Sequence, residues 1–244
     1  GLQIDAASCD ASGLITALEA VTDAEFAREL VGVALSAALP DAVPATTVGG
    51  VIAGAMGRAR QWTNAESAVL NPTAFVAQAQ QVASEEDLSC AVLQGEELRE
   101  QGFGAIYAMG SGSPYPPALI DLTYRPAAPT ARITLVGKGV TFDTGGLSIK
   151  GSAAMAGMRQ DKCGAATVLA VMSALRGLGV TAEVRALLPV IENMIGPGSL
   201  RPGDTVSAWN GTRIQVMDTD FEGRVILADA LAYATADRPD LVID

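Results

Sequence analysis

From Ala131 onward, short apolar runs of strand character alternate with helix-like segments, and few architectures accept that order. Ile133-Thr-Leu-Val136 reads as a buried strand and Gly164 to Leu178 as a helix with Ala, Val, Leu and Met on its apolar side. Glu183 to Ile191 follows as a strand broken by Pro189. Asp204 to Trp209 and Thr212 to Val216 flank Asn210-Gly211, a strong signal for a tight hairpin. Val225 to Ala236 then reads as a helix and Leu241-Val-Ile243 as a strand. Strand, helix, strand, helix, strand predicts an α/β fold: a mostly parallel mixed sheet flanked by helices.

The first 125 residues read differently, as mostly helical. Thr22 is placed to cap a helix running through Phe26 to Leu39, which stops at Pro40, and Pro40 to Pro44 reads as a linker. Helical runs are expected over Val51 to Trp62, from Asn71 to Ala83, and over Glu96 to Gln101. Gly110 to Pro114 is expected as a loop and Ala118 to Tyr124 as a strand. The division expected is a short helical N-terminal region, 1–58, ahead of the N-terminal part of a catalytic domain, 59–244. Asp240 to Asp244 reads as a buried core strand cut off in the middle, so the chain is expected to be C-terminally incomplete, a fragment or one product of a cleavage.

Composition excludes several classes. The chain is 49% hydrophobic and 18% charged, enough to fill a substantial core, and its net charge of −11 argues against a nucleic-acid surface. Cys9, Cys90 and Cys163 stand at unrelated spacings, which fits reduced thiols in a cytoplasmic protein better than a disulfide framework. No uninterrupted apolar run is long enough for a transmembrane helix, and Gly1-Leu-Gln-Ile-Asp5 lacks the basic region and apolar core of a signal peptide.

There is no histidine, and the only lysines are Lys138, Lys150 and Lys162; every other cationic side chain is arginine. Composition drift is one account of that clustering. Chemistry is the other: a desolvated lysine can lose its proton and act as a base, nucleophile or metal ligand, whereas arginine stays charged. Carboxylates answer the lysines. Lys138 and Asp143 follow the Ile133 strand, Asp161 precedes the Gly164 helix, and Asp218-Thr-Asp-Phe-Glu-Gly-Arg224 joins the hairpin to the last helix. In an extended backbone Asp220, Glu222 and Arg224 would all point one way. Such groups gather at the carboxyl ends of strands in a sheet of this kind. Four carboxylates at one sheet edge, Asp143, Asp161, Asp220 and Glu222, need compensation, and two divalent cations supply it. Singly each has a plainer account: Asp161 complements a helix dipole, Asp218 is a solvated residue or cap, Glu222 and Arg224 form a surface pair, and Lys162 is a bystander.

The segments Gly137 to Lys150, Met158 to Ala166 and Asp218 to Arg224 resemble, in order and spacing, the leucyl aminopeptidase family of cytosolic dinuclear metallopeptidases. The similarity is loose from about Arg60 and close from Ile133 onward. The resemblance implies a metal-dependent aminopeptidase that hydrolyses the N-terminal residue of peptides, with a leucine-like preference. It implies that Lys138, Asp143, Asp161 and Glu222 hold a tighter metal, that Asp143, Asp220 and Glu222 hold a more exchangeable one, and that Asp143 and Glu222 bridge them. Lys138 would ligate as a neutral amine, Lys150 would stay protonated and polarise the scissile carbonyl, and Arg224 would anchor a bicarbonate ion serving as general base toward a two-metal-activated hydroxide. The metals implied are zinc or manganese, sometimes magnesium or cobalt. The partners implied are peptide substrates and a homohexamer; the missing C-terminal part is expected either to come from a second chain or to have been lost, and no nucleic acid and no membrane enter. Departures from the family pattern are Asp218 and Phe221, where the family has Asn and Ala, and a short, poorly matching region before Arg60. A non-catalytic relative serving as a scaffold is the alternative.

Overall fold

A computed structural model describes residues 43–244. The helix expected over Phe26 to Leu39 lies outside the described residues. The first described element is helix α1 (Val43–Asn64), which begins inside the stretch expected as a linker. It is followed by α2 (Pro72–Glu86), β1 (Ser89–Gln94), α3 (Glu96–Glu100), α4 (Gly104–Gly110) and β2 (Ala118–Tyr124). The second half holds β3 (Arg132–Val136), β4 (Gly139–Asp143), α5 (Ser152–Met155), α6 (Cys163–Met172) and β5 (Glu183–Asn193). The hairpin β6 (Thr205–Ser207) and β7 (Arg213–Gln215), helix α7 (Glu222–Ala236) and β8 (Leu241–Ile243) complete it.

One mixed sheet organises these elements. Its strands run β1, β2, β5, β3, β8, with β4 pairing to β5 beyond the end of β3. β1 and β2 are antiparallel, as are β2 and β5, whereas β3, β4 and β8 join by parallel pairing. Helices cover both faces because β2 and β5 are apolar on both. Ile120, Leu122, Ala186, Leu188 and Val190 pack with α1, α2 and α6 through Trp62, Phe75, Val82, Leu169 and Met172. The alternate residues Leu119, Leu187 and Ile191 face Phe103, Ile106, Met109, Ile226 and Ala230 of the α4 and α7 layer. That is the period-2 alternation of a strand buried on both sides.

Several expectations require correction. Pro189 does not break β5, which runs 11 residues through it. The carbonyls of Leu187 and Pro189 turn toward the side where β3 ends and β4 begins, so the missing N–H of Pro189 falls at a gap in the ladder. Helix α6 stops at Met172 rather than Leu178; the Ser173 hydroxyl donates to the Ala170 carbonyl at 2.7 Å and competes with the helix ladder. β8 pairs with β3 alone among the described strands, with Leu241 and Ile243 about half exposed. β1, α4 and β4 have no counterpart among the expected elements. The hairpin, β2, β3 and α2 stand where the pattern puts them. Among the described residues no helix is long and apolar enough to cross a membrane.

Candidate metal centre

The carboxyl ends of β4 and β5 lie side by side, and the residues of the candidate site gather around them. Lys138 follows β3, Asp143 closes β4, and Asn193 closes β5 as the register partner of Asp143. Asp161 ends a short 3-10 turn ahead of α6, and Asp220 sits in another ahead of α7. Glu222 is the first residue of α7.

The backbone around Asp220 is therefore helical, not extended. Asp218 caps the turn by accepting the Asp220 N–H at 2.9 Å. The tight turn still brings Asp220 and Glu222 together with Asp143: one carboxylate oxygen from each lies within 4.8 Å of the others. Arg224 diverges from them. Its guanidinium lies over the Phe221 ring at 4.5 Å, both side chains being exposed, yet it lines the same groove of about 360 Å³ as Lys138, Asp220 and Glu222. The turn between Asp143 and Lys150 needs Gly146, which has φ +62 and where a Cβ would stand 2.9 Å from the Thr219 hydroxyl.

Two lysines bind the carboxylates together. Lys138 Nζ contacts Asp161 at 2.5 Å and Glu222 at 3.0 Å. Lys150 Nζ contacts Asp143 at 2.9 Å and also pairs with Asp220. Asp161 thus stands beyond the group of three and joins it through Lys138. Burial, helped by the charge of Asp143, pushes the Glu222 carboxyl up to about 7, and burial raises Asp161 as well. Burial pulls the Lys138 ammonium down, but Asp161 and Glu222 outweigh it and leave its pKa raised. Lys150 is raised too, burial again being overcome by Asp220 and Asp143.

Lys162 stands outside the carboxylate contacts made by Lys138 and Lys150, a bystander to that chemistry but a structural anchor. It is fully buried and donates to the carbonyls of Ala65, at 2.9 Å, and Arg159. Burial, with Arg159 nearby, lowers its pKa to about 8. It pins the turn that carries Asp161 and takes no part in the carboxylate cluster. An apolar cleft of about 230 Å³ between α1 and α6, lined by Ile52, Met56, Val171 and Leu178, offers no such chemistry.

Residues that sequence reasoning passed over hold the site in shape. Asp143 Oδ1 accepts from the Gly145 N–H at 2.8 Å and from the Asn193 amide at 2.7 Å. The Thr219 hydroxyl donates to the Gly145 carbonyl at 2.7 Å and accepts from the Ser148 N–H at 2.9 Å; the Ser148 hydroxyl in turn accepts the Thr219 N–H at 3.1 Å. Asn193 was findable, since it is a polar residue at the carboxyl end of a core strand.

The cluster fits divalent cations by its own chemistry. Glu222 Oε2 is buried and has no hydrogen-bond partner, although such oxygens are almost always satisfied. A cation shared with Asp143 and Asp220 would satisfy it. Carboxylate oxygens and an amine suit manganese, magnesium or zinc.

The cytosol aminopeptidase family, catalytic domain, matches residues 57–244. The chain belongs to this family. A probable cytosol aminopeptidase of Corynebacterium diphtheriae is 41% identical over 198 residues, covering 81% of this chain and 40% of the relative. Among solved structures, the bottromycin maturation enzyme BotP in complex with Mn is 42% identical with a TM-score of 0.80, covering 84% of this chain and 45% of that one. The cytosol aminopeptidase of Coxiella burnetii is 37% identical with a TM-score of 0.77, covering 84% of this chain and 44% of that one. This cytosol aminopeptidase family member spans about two fifths of the length of the curated relatives it matches.

Proposed function

We propose that this chain carries the dinuclear metal centre of an aminopeptidase that removes the N-terminal residue of peptides. The observation that carries the reading is the orphaned Glu222 oxygen within a cluster of Asp143 and Asp220 carboxylates. Lys138, Asp143, Asp161 and Glu222 would hold one ion, and Asp143, Asp220 and Glu222 the other. Zinc or manganese is the expected occupant, with magnesium or cobalt as substitutes. Two such ions would supply Lewis acidity and a water activated at neutral pH.

The chain's own groups supply the rest. Lys138 faces Asp161 and Glu222 and favours its charged form, so its ligation of a cation would release a proton. Lys150, kept protonated by Asp143 and Asp220, would donate to the scissile carbonyl oxygen and to the charge that develops on it. Arg224, exposed at the groove, would hold a bicarbonate ion acting as the base, in place of the histidine the chain lacks. A leucine-like preference, a homohexamer, a cytoplasmic location and a domain boundary near residue 58 belong to the same reading, on the strength of the family.

Metal analysis of the full chain after manganese loading is the test. About two ions per chain are expected, together with hydrolysis of a leucine anilide. Lys150→Ala should keep the ions and lower turnover by roughly a hundredfold or more, the scale of losing a preorganised donor. Fewer than one ion per chain would falsify the reading and favour a non-catalytic scaffold; loss of both ions in Lys150→Ala would contradict the role given to that residue.

A further inference from the structure

We propose that Asn193 is a positioning residue that orients Asp143 and clamps the two ligand-bearing loops together before a cation arrives. The inference rests on the metal-centre reading above. Asn193 is buried at the end of the longest strand, and its backbone carbonyl accepts both the N–H and the hydroxyl of Thr144, at 3.0 and 2.9 Å. Its side chain is therefore presented by the sheet, not by a loop.

The amide donates twice, to Asp143 Oδ1 at 2.7 Å and to the Thr219 carbonyl at 3.0 Å. Both partners only accept, so the NH2 end of the amide must face them. A lone carboxylate can turn about its last torsion and present either oxygen. With the Gly145 N–H and the Asn193 amide both on Oδ1, the plane of Asp143 is set and Oδ2 is left facing the Lys150 ammonium. The second bond reaches the 3-10 turn that presents Asp220 and leads into Glu222. One amide thus ties residues 50 and 26 positions away in sequence, one on each side of the cluster. Removing it leaves Asp143 with a single donor on Oδ1 and the Thr219 carbonyl without that partner. Outer partners that orient a ligand typically change metal affinity by about 10- to 100-fold.

Calorimetric titration of the full chain with Mn2+ tests this, using Asn193→Ala and the volume-matched Asn193→Leu beside the unaltered protein. Both variants should bind the same number of ions roughly 10- to 100-fold more weakly, while the metal-free chains still melt cooperatively with native far-UV circular dichroism. In an Asp143→Asn background, Asn193→Ala should add little further loss, because the effect passes through that carboxylate. Unchanged affinity in the folded variants removes the role of Asn193 and leaves the metal centre standing. Failure of both variants to fold, where Asp143→Asn folds, also overturns it, since residue 193 would then serve the sheet alone. No Mn2+ binding by the unaltered chain removes the metal centre itself, and this proposal with it.

Discussion

Lys138 reaches its two carboxylates across a residue with no side chain. A Cβ at Gly223 would lie 2.4 Å from Lys138 Cε and 3.0 Å from Cδ, so the lysine stem occupies space that any other residue at 223 would fill. Gly223 is in the first turn of α7, where alanine is a better helix former by about 1 kcal/mol. Gly223→Ala should therefore leave thermal stability nearly level while displacing the Lys138 amine from Glu222, lowering aminopeptidase turnover and weakening Mn2+ binding. A variant with unaltered Mn2+ affinity would show that Lys138 is not held where this packing puts it. Lys138, Lys150, Asp143, Asp161, Asp220 and Glu222 were all legible as a group, because lysine in an arginine-biased chain and carboxylates on successive loops are visible in one dimension. Thr219 and Ser148 were not, and Asn193 was legible only as a polar residue at the end of a core strand. Their contribution is a hydrogen-bond direction, which no spacing encodes.

Among the elements, α7 is the one that joins the site to the rest of the domain. Its N-terminal turn supplies Glu222, and two turns later the fully buried Asp229 accepts the Ile106 N–H at 2.8 Å and the Trp209 N–H at 2.7 Å. A single carboxylate thus holds α4 and the β6–β7 hairpin against α7. Burial is the dominant influence on it and pushes its pKa from the usual 3.8 to about 6, against the pull of those backbone donors. The folded chain then holds the Asp229 proton more tightly than the unfolded chain does, so this group's share of stability is present at pH 4 and is lost as pH rises through about 6. Urea unfolding from pH 4 to 7 should show the stability of the unaltered chain falling relative to Asp229→Asn, which cannot titrate there. A difference that stays constant or grows with pH contradicts the shift. The element pattern foretold α7 and the hairpin, yet not that Asp229 connects them: an acidic residue on a helix reads as solvated until the fold covers it.

For the whole molecule, the carboxylate cluster carries a consequence that extends beyond the site. Asp143 and Glu222 are almost completely buried on different elements, one at the end of β4 and one at the start of α7, so a cation held by both would link the two. Any ion that binds only the folded chain stabilises it by mass action, by about 2.7 kcal/mol at a hundredfold excess over its dissociation constant. For a domain of this size that corresponds to a rise in melting temperature on the order of 5–10 °C. Scanning calorimetry with Mn2+, then with EDTA, should show the rise and its reversal; a melting temperature indifferent to both would mean that no cation joins β4 to α7.

The sequence by itself determined the α/β class, the hairpin, the family and the identity of the charged groups, because each is written in periodicity or in residue choice along the chain. Only the tertiary structure decided that Pro189 can stand inside a central strand, that Lys162 is a buried anchor, that Arg224 turns away to the Phe221 ring, and that Asn193 aims Asp143. Each of those depends on which groups from distant segments fill the space beside a residue. That is settled by packing and by the need to pair buried polar atoms, neither of which a linear pattern contains.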